Sequence, residues 1–442
     1  MTTYIPNILF ACALALGTGY FSLNIKKLIR NIKLGRDVEV NDQKGQRWKN
    51  MARIALGQSK MVVRPIAGLM HIIVYVGFVI INIEVLEIII DGLIGTHRIF
   101  SLMGGFYDFL IGSFEVLAFL VIAAVIVFWL RRNVARLQRF IKPEMEGWPK
   151  KDGNLILYIE LVLMFLFLTM NATDFQLQQM GSEHYSKAGA FPISQFMAPL
   201  FEGMSESTLI FVERTAWWLH ILGILFFLNY LYFSKHLHIL LAFPNTYYGK
   251  LSPQGQFSNL ESVTNEVKLM MDPSADPFAA APESDTEEPE KFGASDVMDL
   301  NWVQLMNAYT CTECGRCTSE CPANQTGKKL SPRKILMNTR DRLEEVGKNI
   351  DDNKGEFVPD GKQLLDDYIT KEELWACTTC NACVEACPVS IDPLSIIMEM
   401  RRFLVMEQSA APTELNSMMS NIENNGAPWP YNQMDRLNWV NE

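Results

Sequence analysis

Cys311-Thr312-Glu313-Cys314-Gly315-Arg316-Cys317-Thr318-Ser319-Glu320-Cys321-Pro322 recurs in outline as Cys377-Thr378-Thr379-Cys380-Asn381-Ala382-Cys383-Val384-Glu385-Ala386-Cys387-Pro388. Three thiolates on one short loop wrap one face of an iron–sulfur cubane, and the fourth must approach from elsewhere, so two such runs cross-ligate. The spacing predicts one [4Fe–4S] cluster on Cys311, Cys314, Cys317 and Cys387, and a second on Cys377, Cys380, Cys383 and Cys321. A structural zinc site asks for two separated pairs rather than four cysteines in one run, and disulfides do not suit a reducing compartment. Eight of the nine cysteines fall in these runs; the ninth, Cys12, lies in an apolar stretch.

Working outward, Ser331-Pro332-Arg333 opens a helical stretch to about Val346, with proline at the first helical position. Thr370 and Glu373 form a capping box before Leu374 and Trp375, and the segment from Pro393 through Met398, Arg401 and Leu404 has helical periodicity. Residues 299–410 therefore read as a mostly helical two-cluster domain with a large insertion between the cysteine runs. The tail, 411–442, carries Pro428-Trp429-Pro430 and Trp439 and reads as a subunit contact. No Rossmann glycine fingerprint, P-loop or serine–histidine triad occurs, so the chain itself gives no sign of nucleotide or flavin binding. Upstream, residues 249–298 are rich in Pro, Ala, Ser and acid: Asp272, Asp276, Glu283, Asp285, Glu287, Glu288 and Glu290 are interrupted by Pro273, Pro277, Pro282 and Pro289. That composition reads as a tether, with a docking strip as the alternative.

The first half is different in kind. The 442 residues are 49% hydrophobic and only 20% charged, and the surplus is concentrated in apolar runs at 5–25, 66–90, 106–130, 154–170 and 208–233. Each is long enough to cross a hydrocarbon core of about 30 Å as a helix. The first is not a cleaved signal peptide, since no basic region precedes Ile5 and Lys26, Lys27 and Arg30 follow at once. Basic residues crowd loops 26–64 and 131–151, whereas the other two loops offer only Arg98 and Lys187. By the positive-inside rule the N-terminus lies outside and the cysteine domain is cytoplasmic. A net charge of −10 argues against nucleic acid as a partner. A secreted disulfide scaffold and a simple soluble enzyme are both excluded.

Histidines are few. His71 lies two turns into the second span and His220 early in the fifth; His236 and His238 follow the fifth in Ser234-Lys235-His236-Leu237-His238. An ionisable side chain inside a membrane is a functional hypothesis by default, and imidazoles on facing helices are axial ligands for haem. On a continuous helix His220 and His238 would share one face, about 27 Å apart along the axis, with His236 on nearly the opposite face. The bland reading stays open: His236 and His238 interfacial, His220 hydrogen-bonded in the bundle. Depth does not fix the pairing; one bis-histidine haem is supported, and a second lacks a fourth ligand. His97 and His184 lie in outer loops and read as solvated. Glu84, Glu87, Asp91, Asp108, Glu115 and Glu160 lie in or near the helices. Helix-end carboxylates usually face water or headgroups, while Asp108, Glu115 and Glu160 are deeper and could serve a proton path to a quinone.

The membrane half resembles the haem b subunit of respiratory nitrate reductase, and more closely its relatives in heterodisulfide and sulfite-reduction complexes. The resemblance rests on Arg64-Pro65-x-x-Gly68-x-x-His71 with Gly77-Phe78, Trp217-Trp218-x-His220, and Ser234-Lys235-His236-Leu237-His238. The second half resembles heterodisulfide-reductase-type iron–sulfur proteins through the first cysteine run, Cys321-Pro322-Ala323-Asn324, Gly327-Lys328-x-Leu330-Ser331-Pro332, and Trp375-Ala376-Cys377. The fusion is similar to the electron-transfer-flavoprotein:menaquinone oxidoreductases. The resemblance implies a mainly α chain: a five-helix transmembrane haem b bundle (1–248) and a cytoplasmic two-cluster ferredoxin-like domain. It pairs His71 with His238 at the cytoplasmic-side haem. His220 then matches a ligand of an outer haem, but its partner falls near Ile81, which cannot ligate iron. That family usually continues into cysteine-rich CCG repeats; none occurs before Glu442, which implies that a separate iron–sulfur subunit with a CCG domain is a partner.

The implied activity is electron transfer at the inner membrane of a bacterium. Electrons would run from a cytoplasmic donor, electron-transfer flavoprotein, through two clusters and haem b to menaquinone. Two alternatives remain at this stage. One is a quinol-oxidising subunit that feeds a cytoplasmic disulfide or sulfur-compound reductase; the other is an anchoring or assembly subunit of a respiratory complex.

Overall fold

The computed structural model describes residues 4–185, 187–274 and 291–440. Among them regular structure is helical, relieved only by two isolated bridges. Five helices are long and apolar enough to cross a membrane: α1 (Ile5–Ile32), α3 (Pro65–Ile94), α4 (Gly105–Asn133), α5 (Trp148–Met180) and α6 (Glu206–Tyr230), with α2 (Lys44–Met51) lying between the first two. All five apolar runs are helical; α1, α3, α4 and α5 continue past their apolar stretches, while α6 gives way at Leu231–Phe233 to a 3-10 turn. Their ends are set locally. Proline occupies the first turn of α1, α3 and α5, Ser205 caps α6, and Gly95 and Gly181 close α3 and α5 in the left-handed conformation. The five close into a ring, each packed on the next from α1 through α3, α4, α5 and α6 back to α1. Gly77 lets α3 meet α4 closely, for a Cβ there would stand 2.6 Å from a Val121 methyl. Leu16, Phe109, Phe165 and Phe211 point outward and exposed, the apolar exterior that a lipid-facing surface requires.

At one end of the ring sits the C-terminal domain, preceded by α7 (His238–Tyr247) and α8 (Glu261–Met271). It contains α9 (Trp302–Thr310), α10 (Arg316–Glu320), α11 (Pro322–Gln325) and α12 (Pro332–Asp352), then short helices at Lys371–Trp375, Ala382–Ala386 and Pro393–Arg402. The local signals in this domain are realised. Ser331 caps α12, and the Thr370–Glu373 capping box is closed in both directions. The core of Leu305, Ile335, Leu343, Leu374, Ile396 and Met400 also takes in Leu28 of α1 and Leu237, so both halves share one apolar interior.

That shared interior corrects the reading of 249–298 as a plain tether. Residues 291–298 are part of the domain: Ala294 and Val297 are buried, and Asp296 accepts from Arg342, itself fully buried. Residues 261–271 form α8, a helix with no buried side chain. The acidic and proline positions Asp276, Pro277, Pro282, Glu283, Asp285, Glu287, Glu288, Pro289 and Glu290 lie outside the described residues, as does Glu442. The seam itself is made by the basic loops. Lys27 pairs with Asp351 at 2.9 Å, and Arg30 reaches the same carboxylate and the Gly347 carbonyl. Asn31 donates to the Tyr309 hydroxyl at 3.0 Å. Arg333, wholly buried, donates to Glu144 at 2.7 Å and to the Arg139 carbonyl at 2.6 Å.

Candidate metal centres

The two cysteine runs fold alike because their backbones turn alike. Cys311 ends α9; Glu313 (φ 53°) and Gly315 (φ 70°) are left-handed, and α10 then carries Cys317. At the matching positions of the second run, Thr379 (φ 56°) and Asn381 (φ 62°) are left-handed before the helix that carries Cys383. The two short helices pack against each other, which brings the end of each run to the start of the other. Cys311, Cys314, Cys317 and Cys387 line one cavity of about 350 Å³, with Cys383 at its edge and Arg333 in its wall. Cys317 has the thiols of Cys314, Cys311, Cys387 and Cys383 for neighbours, and Cys383 has Cys377, Asp392, Cys321 and Cys380.

The donor set suits clusters. All nine cysteines are free thiols. Burial, reinforced by the neighbouring thiols, pushes Cys387 up to about 11 and Cys383 further still, so thiolates here need positive charge supplied from within the site. Backbone amides of Thr379 and Ile391 donate to the Cys377 and Cys387 sulfurs at 3.4 and 3.3 Å. Cys380 is exposed, whereas Cys311, Cys321, Cys383 and Cys387 are buried.

The histidines sort themselves by contact. The rings of His71 and His238 face one another with centroids 6.5 Å apart and planes 39° apart. Two imidazoles sharing one metal at about 2.0 Å each would stand with centroids about 6 Å apart, so the pair could hold a haem iron. The Lys235 carbonyl accepts from His238 Nδ1 at 3.0 Å, which leaves Nε2 for the metal and orients the ring. His71 Nδ1 is buried without a partner.

His236 instead approaches Glu160 at 3.5 Å and packs edge-on against His238 at 5.3 Å. The helical arithmetic for His220 and His238 is corrected, because they are not on one helix. The chain leaves α6 through short 3-10 turns, Ser234 is extended (φ −118°, ψ 149°), and α7 begins at His238. Asp152 fixes the break, accepting from the Tyr230 hydroxyl at 2.5 Å and the Lys235 amide at 3.2 Å. His236 and His238 thus lie together instead of on opposite faces. His220 is 2% exposed, with Nδ1 3.0 Å from the Leu163 carbonyl and Ile81 buried in the same core.

Sequence reasoning missed what joins these sites. Glu313, inside the first cysteine run, takes an ion pair from Lys235 and another from Arg340 at 2.9 Å. Arg316, between Cys314 and Cys317, donates to the Lys60 carbonyl at 2.9 Å. The first run is thus bound to both segments that present the histidine pair. At the far end of the bundle a second network was also missed. Arg98 donates to Asp174 at 2.5 Å, Asn171 at 2.9 Å and Tyr107 at 3.1 Å; Tyr107 donates to Glu87 at 2.9 Å, and Asn171 to Glu115 at 3.1 Å. Glu84 and Glu87 are buried rather than at water, and Glu84 Oε2 has no partner. Asp91 caps the Arg98 and Ile99 amides, and Asp108 the Gly189 amide. His97 is not solvated: it packs on Tyr185 at 4.8 Å beside Asp174, and burial pulls its imidazole down to about 4. His184 is exposed as expected. The available signal was Asn171 and Asp174, polar and three apart just past an apolar run.

Residues 310–391 match the 4Fe-4S dicluster domain family. Over 98% of its length the chain is 28% identical to a probable iron-sulfur-binding oxidoreductase, FadF, of Bacillus subtilis, and over 92% it is 28% identical to the EtfAB:quinone oxidoreductase of Syntrophomonas wolfei. It spans 61% and 55% of the lengths of those two relatives. Over 34% of the chain and 37% of the relative, it is 29% identical to one subunit of the dihydromethanophenazine:CoB–CoM heterodisulfide reductase of Methanosarcina mazei. No solved structure matches it.

Proposed function

We propose that this iron–sulfur membrane protein, related to those oxidoreductases, passes electrons from a soluble donor to menaquinone. Electron-transfer flavoprotein is the donor this reading names, from the quinone-linked relative. Two [4Fe–4S] clusters and one haem b supply the one-electron carriers when bound; the chain positions them and tunes their potentials. Cys311, Cys314, Cys317 and Cys387 hold the inner cluster, and Cys377, Cys380, Cys383 and Cys321 the outer one, whose exposed Cys380 faces the donor. His71 and His238 hold the haem; His220 and His236 are structural. Arg333 and Arg316 flank the inner set, and Lys235 bridges it to His238. The domain lies on the cytoplasmic side of the inner membrane, where the basic loops seat it.

One observation carries the reading: the His71–His238 pair at 6.5 Å, connected through Lys235 to Glu313 of the first cysteine run. Reduced flavoprotein added to the purified chain should bleach the clusters and then raise the reduced haem band, which excess menaquinone reoxidises. Clusters that reduce while the haem stays oxidised would refute the path. The heterodisulfide-reductase similarity, over 34% of the chain, favours the reverse direction; haem reduced by quinol faster than by flavoprotein would select it.

A further inference from the structure

Where α1 meets the C-terminal domain, an open pocket lies between α1, the segment after α6, and α12. Its walls on the bundle side are aromatic: Tyr20, Trp148, Tyr232 and Phe233. Tyr20, Trp148 and Phe233 are exposed on the outer surface of the ring, so the mouth opens toward lipid, at the level where tryptophan and tyrosine gather. Asn24 lines the pocket, is 6% exposed, and its Nδ2 has no hydrogen-bond partner. That amide is an unused neutral donor in the pocket wall.

The charged groups of the lining are Lys27, Arg30 and Lys348 against Glu344 and Asp351. Lys27 and Arg30 are both engaged by Asp351, and Lys348 stands with Glu344 on the α12 side. Aromatic walls with a neutral donor suit a flat uncharged dione better than a phosphate. Two of its wall segments continue toward the electron sites. Asn31 in its wall donates to Tyr309, two residues before Cys311, and Tyr232 and Phe233 lead directly into Lys235–His238.

We propose that this pocket binds the menaquinone headgroup, so that quinone is reduced at the domain end of the bundle and not at the far end beside Glu84. The proposal rests on the quinone-reducing reading above. Two electrons, delivered singly from the chain's carriers and drawn from a reduced flavoprotein, and two protons from water on the domain side convert both ring carbonyls to hydroxyls. Glu344 lines the pocket and is exposed, which places a carboxyl where it can relay one of the protons.

The test is photolabelling of the full chain in mild detergent with a short-chain azido-menaquinone, followed by peptide mapping. Label on the peptides around Tyr20–Asn31 and Tyr232–Phe233, competed by unlabelled menaquinone, is expected. It should fall at least tenfold in Asn24→Leu and several-fold in Tyr20→Ala, an exposed wall position, with haem and cluster absorbance unchanged. Label on the far-end segments around Glu84 and Arg98, or undiminished labelling in both variants, overturns the site. Protection by phosphatidylglycerol but not by menaquinone would make it a lipid site instead. Pocket labelling without flavoprotein-driven quinone reduction would spare the site and sink the proposed function; quinone reduction with label elsewhere would do the opposite.

Discussion

Lys235 makes two contacts at once: its ammonium pairs with Glu313 of the first cysteine run, and its carbonyl holds His238 Nδ1. The two contacts are separable. Lys235→Met should leave one haem per chain, because a backbone carbonyl orients the ring, yet slow haem reduction by pre-reduced clusters at least tenfold in stopped-flow absorbance. The cysteine ligands were legible in the sequence because three of every four sit on one short loop. The histidine pair was not legible from spacing, since it joins residues on different helices, and the resemblance supplied it. The arithmetic that put His220 and His238 on one face failed at Ser234, where Asp152 breaks the helix by taking the Tyr230 hydroxyl and the Lys235 amide. At this scale acid sensitivity also follows. Lys27, and then Arg30, hold Asp351 below its ordinary value; for Glu144, burial opposes the charge, but Ser331 and Arg333 prevail and lower it. Carboxylates with depressed folded values stabilise fully above the unfolded value of about 4 and lose that contribution as pH falls through the folded one. The seam should therefore be indifferent between pH 7 and 5 and loosen below about 4, read as the onset of proteolytic separation of domain and bundle.

Helices α1 and α12 meet at Gly347, where a Cβ would stand 2.5 Å from Asn31 Nδ2. Gly347→Leu must push the two apart, and overpacking of this kind costs about 1–3 kcal/mol. Thermal unfolding followed at the cluster absorbance should drop accordingly, while the haem band is retained. The five spanning helices were legible because their apolar runs are long and uninterrupted. The basic loops between them were legible only as orientation signals. Their second role, seating the domain, depends on Asp351, Arg333 and Glu320 far along the chain, and no local pattern announces such partners. The far-end network was hidden for the same reason: Arg98, Tyr107, Asn171 and Asp174 come from separate segments.

As a whole, the molecule is one body with a shared interior rather than an anchor trailing a ferredoxin. Glu144→Ala would leave Arg333 buried without its counter-charge, a change that costs about 3–5 kcal/mol at a buried pair. Proteolysis should then release the domain from the bundle. Cys314→Ser should remove one cluster and loosen the domain with it, because ligation and folding are coupled. The central claim is that this body carries an electron path ending on a histidine pair. Haem b per polypeptide, measured by reduced-minus-oxidised absorbance of the purified chain and its variants, tests it most directly. One haem in the parent and in His220→Ala, and none in His71→Ala or His238→Ala with cluster absorbance intact, is the predicted result; a parent without haem, or unchanged haem in both of the latter variants, would contradict it.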